Sequence, residues 1–320
     1  MSKKTTAAAA KPPIFPTLEV PREWTKQCNK VNGVCDAIAT VGIVPVDLTS
    51  DEARGILTKQ WMNKKAWISG SDYGWPVITK LERYQNCMAF KEYTNKKDLI
   101  SVAIDGLTAE AIKEKNPPGR NRDVEITKDE LWLWHGTGDT HPEEILNSPL
   151  GLDRRFSTGG FYGYGNYLAV HAHYSNGNNN GKKYRYQQGR STDPECKLIL
   201  FRAVVGVSKV YTNGEIDRSI QSHKLEYNRP DCSMRIKSKY NSVLGGPHGP
   251  NTAGPTSIKE KSKMYVTYER GQLYPAYVVT YRFVRGAQPK SPFGPIVAPP
   301  AVTTNVVEWM EDGAWKQYTN

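Results

Sequence analysis

The apolar and polar positions of this chain predict strands late and helices early. Val77-Ile-Thr-Lys-Leu81, Glu130 to Trp134, Lys197 to Val205, Lys263 to Glu269 and Ala276 to Phe283 are short apolar or alternating runs rich in β-branched and aromatic residues, and each predicts a strand. The last two are separated by Arg270-Gly271, which predicts a turn joining them. Thr49-Ser-Asp-Glu52 has the spacing of a capping box and predicts a helix running to Asn63. Asn86 predicts the cap of a second helix, with Met88, Ala89 and Tyr93 toward the core. Thr140-His-Pro-Glu143 repeats the box and opens a short helix that ends near Asn147. Residues 104–128 are polar and contain Asn116-Pro-Pro-Gly-Arg120, so they read as a loop holding one helical turn at most. Strands and helices are segregated rather than alternating. The pattern predicts an α+β fold with an antiparallel-rich sheet.

Composition divides the chain further. Residues 1–20 are rich in Ala, Lys and Pro and predict a disordered tail. Residues 21–48 form an N-terminal extension whose role the sequence leaves unassigned; its apolar unit runs from Val34 to Val46. Residues 49–285 carry the chemistry, 286–304 form a Pro-rich linker, and 305–320 are a short aromatic terminus. Asn176 to Lys183 is an Asn/Gly insertion. A chain of 320 residues can bury a substantial core. It has no apolar run of membrane-spanning length, and Met1 to Lys11 lacks the apolar centre of a secretory signal.

The five cysteines are scattered and odd in number, which predicts reduced thiols and a cytoplasmic or nuclear setting. The formal net charge of +11 favours an acidic partner (nucleic acid, an acidic protein or a polyphosphate ligand), but general solubility, with lysines spread along the chain, stands ahead of dedicated nucleic-acid binding. Nothing with the spacing of a nucleic-acid recognition motif accompanies it. The basic, aromatic loop Lys182 to Arg190 reads first as solvated and second as a single-strand stacking surface. Gly163-Tyr-Gly165 lacks the third glycine of a dinucleotide-binding turn, because Leu168 stands there. His171 and His173 share a face if extended, but no further ligands accompany them, and no metal is expected.

Two blocks concentrate ring side chains among glycines: Leu131-Trp-Leu-Trp-His135-Gly136-Thr137, and Tyr162-Gly-Tyr-Gly-Asn-Tyr167-Leu-Ala-Val170. Gly136 lets a ligand ring approach backbone N–H and C=O, the pair a carboxamide needs. His135 offers a ring nitrogen to a sugar hydroxyl, and Tyr167 a flat face to a pyridine.

These blocks carry a family resemblance. Leu133-Trp-His135-Gly136-Thr137, Tyr162 to Ser175, Ile78-Thr-Lys-Leu-Glu-Arg-Tyr-Gln-Asn86, and Ser262 to Tyr268 with Leu273 to Tyr281 resemble the catalytic domain of the poly(ADP-ribose) polymerase superfamily. These are the diphtheria-toxin-like ADP-ribosyltransferases, and the branch without the helical autoinhibitory domain is the most similar. The resemblance implies two antiparallel-rich sheets around an NAD cleft with peripheral helices, and NAD as co-substrate. It implies His135 on the adenine-side ribose, Gly136 and Ser175 on the carboxamide, Thr137 beside them, and Tyr167 stacking on nicotinamide. Arg154, in a donor loop from Gly151, would meet phosphate, and Tyr184 or Tyr186 would be a second stacking ring. Val307 to Tyr318 resembles the opening of a WWE domain, too short to fold alone.

The third catalytic position of the family departs. Polymer-forming members carry a glutamate where Val278 stands, and a valine can neither accept a hydrogen bond nor take a proton. The resemblance therefore implies transfer of a single ADP-ribose unit to a protein acceptor, with no membrane association. Two rivals stay open: a catalytically silent NAD or ADP-ribose binding module, and a protein that binds or modifies nucleic acid.

Overall fold

The computed structural model describes residues 21, 24, 30–31, 34–35, 42–61, 75–107, 124–148, 151–152, 162, 165–177, 184–188, 195–210, 240–245, 263–284, 306–311 and 314–319, the segments 30–35 and 306–319 as backbone. The tail at 1–20, the Asn116–Arg120 turn, Arg154, Gly163, residues 178–183 of the insertion and the linker at 286–304 lie outside them.

In chain order the elements are β1 (Lys30–Val31), β2 (Val34–Cys35), β3 (Gly42–Val46), α1 (Asp51–Trp61), β4 (Trp75–Gln85), α2 (Cys87–Asp105), β5 (Val124–Thr127), β6 (Leu131–His135), α3 (Pro142–Leu146), β7 (Asn166–Ala169), α4 (Ala172–Asn176), β8 (Tyr186–Gln188), β9 (Glu195–Ala203), β10 (Gly206–Val210), β11 (Ser242–Gly245), β12 (Met264–Thr267), β13 (Leu273–Val284), β14 (Val306–Glu311) and β15 (Ala314–Thr319). The fold is mixed α+β, with one large, mostly antiparallel sheet and peripheral helices. The sheet runs β3-β4-β13-β9-β6-β7-β12-β11-β10-β5, with β8 beside β9. Within it β10 and β11 pair in parallel. β3 adds five antiparallel pairs to β4, so residues 42–46 of the N-terminal extension belong to the main sheet. β14 and β15 form a separate antiparallel hairpin.

The sheet has a weak seam. β6 and β7 share the single pair Trp134↔Ala169, whereas β6 makes five pairs with β9 and β7 makes four with β12. The seam divides the sheet into a half containing β3, β4, β13, β9 and β6 and a half containing β7, β12, β11, β10 and β5.

One face of the first half is closed by α1 and α2. Trp61 of α1 packs edge-on against Trp134 at 5.4 Å and Tyr281 at 5.0 Å between ring centroids. Phe90 and Tyr93 of α2 join Tyr274, and Trp24 from the N-terminal region packs 5.2 Å from Phe90. Burial of these rings supplies most of the drive to close this layer, because the apolar area removed from water scales with their size. Arg83 lies under α1, 4% exposed, with both Glu52 oxygens 2.6 Å from one guanidinium nitrogen and the Tyr277 hydroxyl donating to Glu52 at 2.8 Å.

That ion pair explains one departure from the sequence reading. Glu52 does not close a capping box on Thr49, because buried Arg83 holds its carboxylate. Ser50 caps α1 instead, its hydroxyl accepting from the Ala53 N–H at 3.2 Å. Asn86 does cap α2, accepting from the Ala89 N–H at 2.9 Å. Tyr93 faces the core, but Met88 is 68% exposed. The helix buries the face of Phe90, Tyr93, Ile100 and Ile104, and Met88 stands well off that stripe. In α3 the cap is His141, whose Nδ1 accepts from the Glu143 N–H at 3.2 Å, not Thr140. Thr140 is held by Thr137, whose hydroxyl donates to its carbonyl at 2.5 Å.

Two further expectations are corrected. The segment 104–128 is not all loop: α2 extends to Asp105, and Val124–Thr127 forms β5 against β10. Two apolar side chains in four residues give too weak an alternation to reveal a strand without its partner. The runs around β12 and β13 are not a hairpin. β12 pairs with β7 and β11, and β13 with β4 and β9, so the turn at Arg270-Gly271 carries the chain from one half of the sheet to the other. Gly271 takes φ +81° there, and Arg270 pairs with Glu92 of α2 at 2.6 Å. Gln272, fully buried, donates to the carbonyls of Val204 at 3.0 Å and Asn241 at 3.1 Å, fastening the crossover.

Cys87 is disulfide-bonded, and Cys196 is a buried free thiol. This corrects the expectation of uniformly reduced thiols. Spacing along the chain does not report which cysteines the fold brings together. Among the described residues no helix is long and apolar enough to cross a membrane.

Candidate functional site

The seam brings the two ring-bearing blocks together. Past the Trp134↔Ala169 pair the strands part, with His135 ending β6 and Tyr167 near the start of β7. His135 Nδ1 lies 2.8 Å from the Tyr167 carbonyl oxygen. A carbonyl can only accept, so Nδ1 carries the proton and donates. In the neutral ring Nε2 is then an acceptor, able to receive a hydroxyl proton. The surrounding protein lowers the His135 pKa below 6.5, because enclosure disfavours the imidazolium; the hydrogen bond to Tyr167 works the other way and is the smaller effect. The imidazole is backed edge-on by the Phe201 ring, 6.0 Å away.

Gly136 follows directly. A Cβ built there would stand 2.4 Å from the carbonyl oxygens of both Ser175 and Tyr184, so only glycine lets these three segments meet. The Gly138 N–H donates to the same Tyr184 carbonyl at 2.7 Å. Ser175, on the short helix α4, is 5% exposed and its hydroxyl donates to the Trp134 carbonyl at 2.9 Å, which leaves its oxygen lone pairs to accept. Thr137 is adjacent, but its hydroxyl is engaged within the loop.

Tyr167 is half-buried, and its hydroxyl accepts from the Tyr162 N–H at 2.9 Å. The Tyr162 ring lies 6.4 Å from it at 26°, backing the ring on one side. Tyr174 and Tyr184 pack 5.9 Å apart. Burial pushes the Tyr174 phenol above its ordinary value, and the hydroxyls of Tyr184, Tyr162 and Tyr167 add to the shift. Four phenols thus gather, and one of them, Tyr167, is joined to His135 through its backbone carbonyl. The sequence reading assigned no role to Tyr174 or Tyr162, although both lie within the segment Tyr162 to Ser175 that carries the resemblance. Of the two candidate second rings, Tyr184 is the one beside Gly136, and Tyr186 packs on His141 at 4.8 Å. Arg185, 2% exposed, holds this segment by donating to the Asn176 and Gly177 carbonyls at 3.2 Å. Nothing in the sequence around Arg185 distinguished it from the solvated basic loop.

Val278 stands on the same sheet half as His135. It pairs with Ile199 of β9, and Ile199 pairs with His135, so the three side chains share one face across three strands. Val278 is 4% exposed. His171 and His173, with rings 6.2 Å apart, sit just beyond β7. Among the described residues no group of three or more His, Cys, Asp or Glu is arranged to hold a metal ion.

The arrangement offers an acceptor nitrogen, a backbone edge stripped of side chain, a buried hydroxyl and several phenol rings at one break in a sheet. A scan against protein-family models finds no match to the chain, and a search of curated proteins finds none either.

Proposed function

We propose that this chain is a mono-ADP-ribosyltransferase of the diphtheria-toxin-like type, taking NAD as co-substrate and a protein side chain as acceptor. One observation carries the reading: the hydrogen bond from His135 Nδ1 to the Tyr167 backbone carbonyl across the seam, which leaves Nε2 as an acceptor where the two ring-bearing blocks meet. The donor set fits a nicotinamide dinucleotide. His135 Nε2 accepts from a ribose hydroxyl, the Gly136 backbone and the Ser175 oxygen meet the carboxamide, and Tyr167 and Tyr184 supply ring faces. Arg154 would neutralise phosphate. Bound NAD would supply an activated glycosidic bond whose leaving group departs as neutral nicotinamide. The chain's own work is to hold that bond, exclude water and stabilise the positive charge that develops on the sugar, which preorganised dipoles do well in an enclosed site. The two halves of the sheet would be the two walls of the cleft.

Val278 limits the reaction to one unit. Elongation needs a sugar hydroxyl made nucleophilic, and a base typically contributes about 10²–10⁴-fold. The same residue motivates a second reading, a silent module that binds NAD or ADP-ribose, since an apolar side chain 4% exposed contributes no proton transfer. The cytoplasmic or nuclear setting stands against the Cys87 disulfide, a bond that persists in oxidising compartments.

Labelled NAD incubated with the protein, alone and with cell extract or RNA, separates the readings on a gel. A discrete protein band that disappears in His135→Ala is the expected result. A ladder means polymer and overturns the single-unit reading. Thermal stabilisation by NAD without label favours the silent module, and label on RNA alone favours a nucleic-acid acceptor.

A further inference from the structure

We propose that Glu82 supplies the carboxylate that Val278 cannot, acting as the base for a hydroxyl acceptor from the neighbouring strand; this rests on the transferase reading above. The ladder pairs place it. Glu82 of β4 is directly opposite Val278 of β13, Val278 is opposite Ile199 of β9, and Ile199 is opposite His135 of β6. Residues directly paired across a sheet project to the same side, with Cβ atoms about 4.5–5.5 Å apart. Four strands at about 4.8 Å spacing put roughly 14 Å between the backbones of His135 and Glu82, with Val278 between them. A substrate lying from His135 past Val278 therefore ends beside Glu82.

Three observations support the assignment. Glu82 is the carboxylate paired with Val278, while the residue on its other side is Ile199. Its side chain is 15% exposed, and one oxygen, Oε1, lies 2.7 Å from Lys80 Nζ on the same face; Oε2 has no partner among the described residues. Lys80 is 55% exposed, so the pair sits at the edge of the layer where an acceptor arrives. The carboxylate on the opposite face, Glu52, is committed to Arg83 and Tyr277.

The step balances without a further reactant. The bond between the ribose anomeric carbon and the nicotinamide nitrogen breaks, and its electron pair leaves with nicotinamide, neutralising the ring. An acceptor oxygen bonds to the anomeric carbon, and its proton passes to Glu82 Oε2 and then to water. The acceptor class is a protein side-chain hydroxyl, which needs this base; a carboxylate acceptor does not. Glu82 stands one strand beyond Val278, so it serves an acceptor presented there and not a sugar hydroxyl of a growing chain lodged over Val278 itself, and transfer stays at one unit.

The test uses the full chain and labelled NAD, scoring label that resists hydroxylamine, as hydroxyl-linked ADP-ribose does. Glu82→Gln should lower resistant label at least 100-fold while the NAD dissociation constant stays within threefold. Glu82→Ala should be rescued in part by formate, and Lys80→Met should retain at least a third of the label. Glu82→Gln within threefold of wild type overturns the proposal, as does label that is wholly hydroxylamine-labile; in these cases the transferase reading survives. A wild-type protein that binds NAD but takes no label overturns the proposal and the transferase reading together and leaves the silent module. A wild-type protein that binds no NAD overturns both. If Glu82→Gln is misfolded by melting temperature, formate rescue of Glu82→Ala decides: label unmoved by formate counts against the base.

Discussion

His135 donates from Nδ1 to the Tyr167 carbonyl across 2.8 Å, and this contact spans the seam where, among the described residues, two neighbouring strands of the large sheet share a single residue pair. It sets the imidazole tautomer and ties the two halves of the sheet together. Removing the ring therefore acts on the site and on the seam. His135→Ala is expected to abolish NAD-dependent thermal stabilisation and labelling. His135→Gln, which can keep a donor to Tyr167, should lose labelling but melt closer to wild type than the alanine variant. Differential scanning calorimetry with and without NAD checks both.

Acid should weaken the fold through the same residue. The folded-state pKa of His135 lies below 6.5, so the unfolded chain takes up a proton near pH 6.5 that the native ring refuses. Stability is then complete above that pH, falls as pH drops below it, and levels once the folded pKa is passed. Urea midpoints from pH 8 to 5 should show this fall in the wild type and less of it in His135→Gln. A midpoint that rises on acidification through this window would contradict the enclosure of the ring.

Gly136→Ala tests the packing of the site without touching its chemistry. The new methyl would meet two backbone carbonyl oxygens at 2.4 Å, and backbone cannot swing aside as a side-chain tip can. Forced overpacking of this kind costs about 1–3 kcal/mol. Chemical denaturation should show the loss, and NAD binding should weaken with it.

Glu52→Ala should destabilise the layer under α1. It strands the Arg83 guanidinium, 4% exposed, without its carboxylate. Breaking a buried ion pair costs roughly 3–5 kcal/mol, and the partial access of Glu52 to water points to the lower end. Tyr277→Phe removes one hydrogen bond and should cost about 1 kcal/mol. Equilibrium unfolding of both variants and their double mutant checks the size and the coupling.

Val278→Glu alone should form no polymer. The substitution puts a carboxylate at a position 4% exposed, beside Ile199 and opposite Glu82, so it carries a desolvation cost and a like-charge neighbour. Lower stability and an unchanged product length on a sequencing-style gel are expected; long chains would refute this.

Much of the local structure was legible in the chain. The Asn86 cap, the strands around Val77, Leu131, Leu198 and Tyr277, and the turn at Gly271 follow from short-range preferences that act within a few residues. His135, Gly136 and Tyr167 stood out in the chain because glycine and ring residues recur in two compact blocks, whereas Ser175 entered only through the family resemblance. Strand partners were not legible. An alternating run states which face is buried and not which strand lies beside it, so β12 and β13 looked like a hairpin yet occupy opposite halves of the sheet. The fate of Glu52, the Cys87 disulfide, the seam at Trp134↔Ala169 and the register that puts Glu82 opposite Val278 were decided in three dimensions. Each depends on contacts between residues far apart along the chain, whose closeness is a property of the folded sheet and not of any one segment.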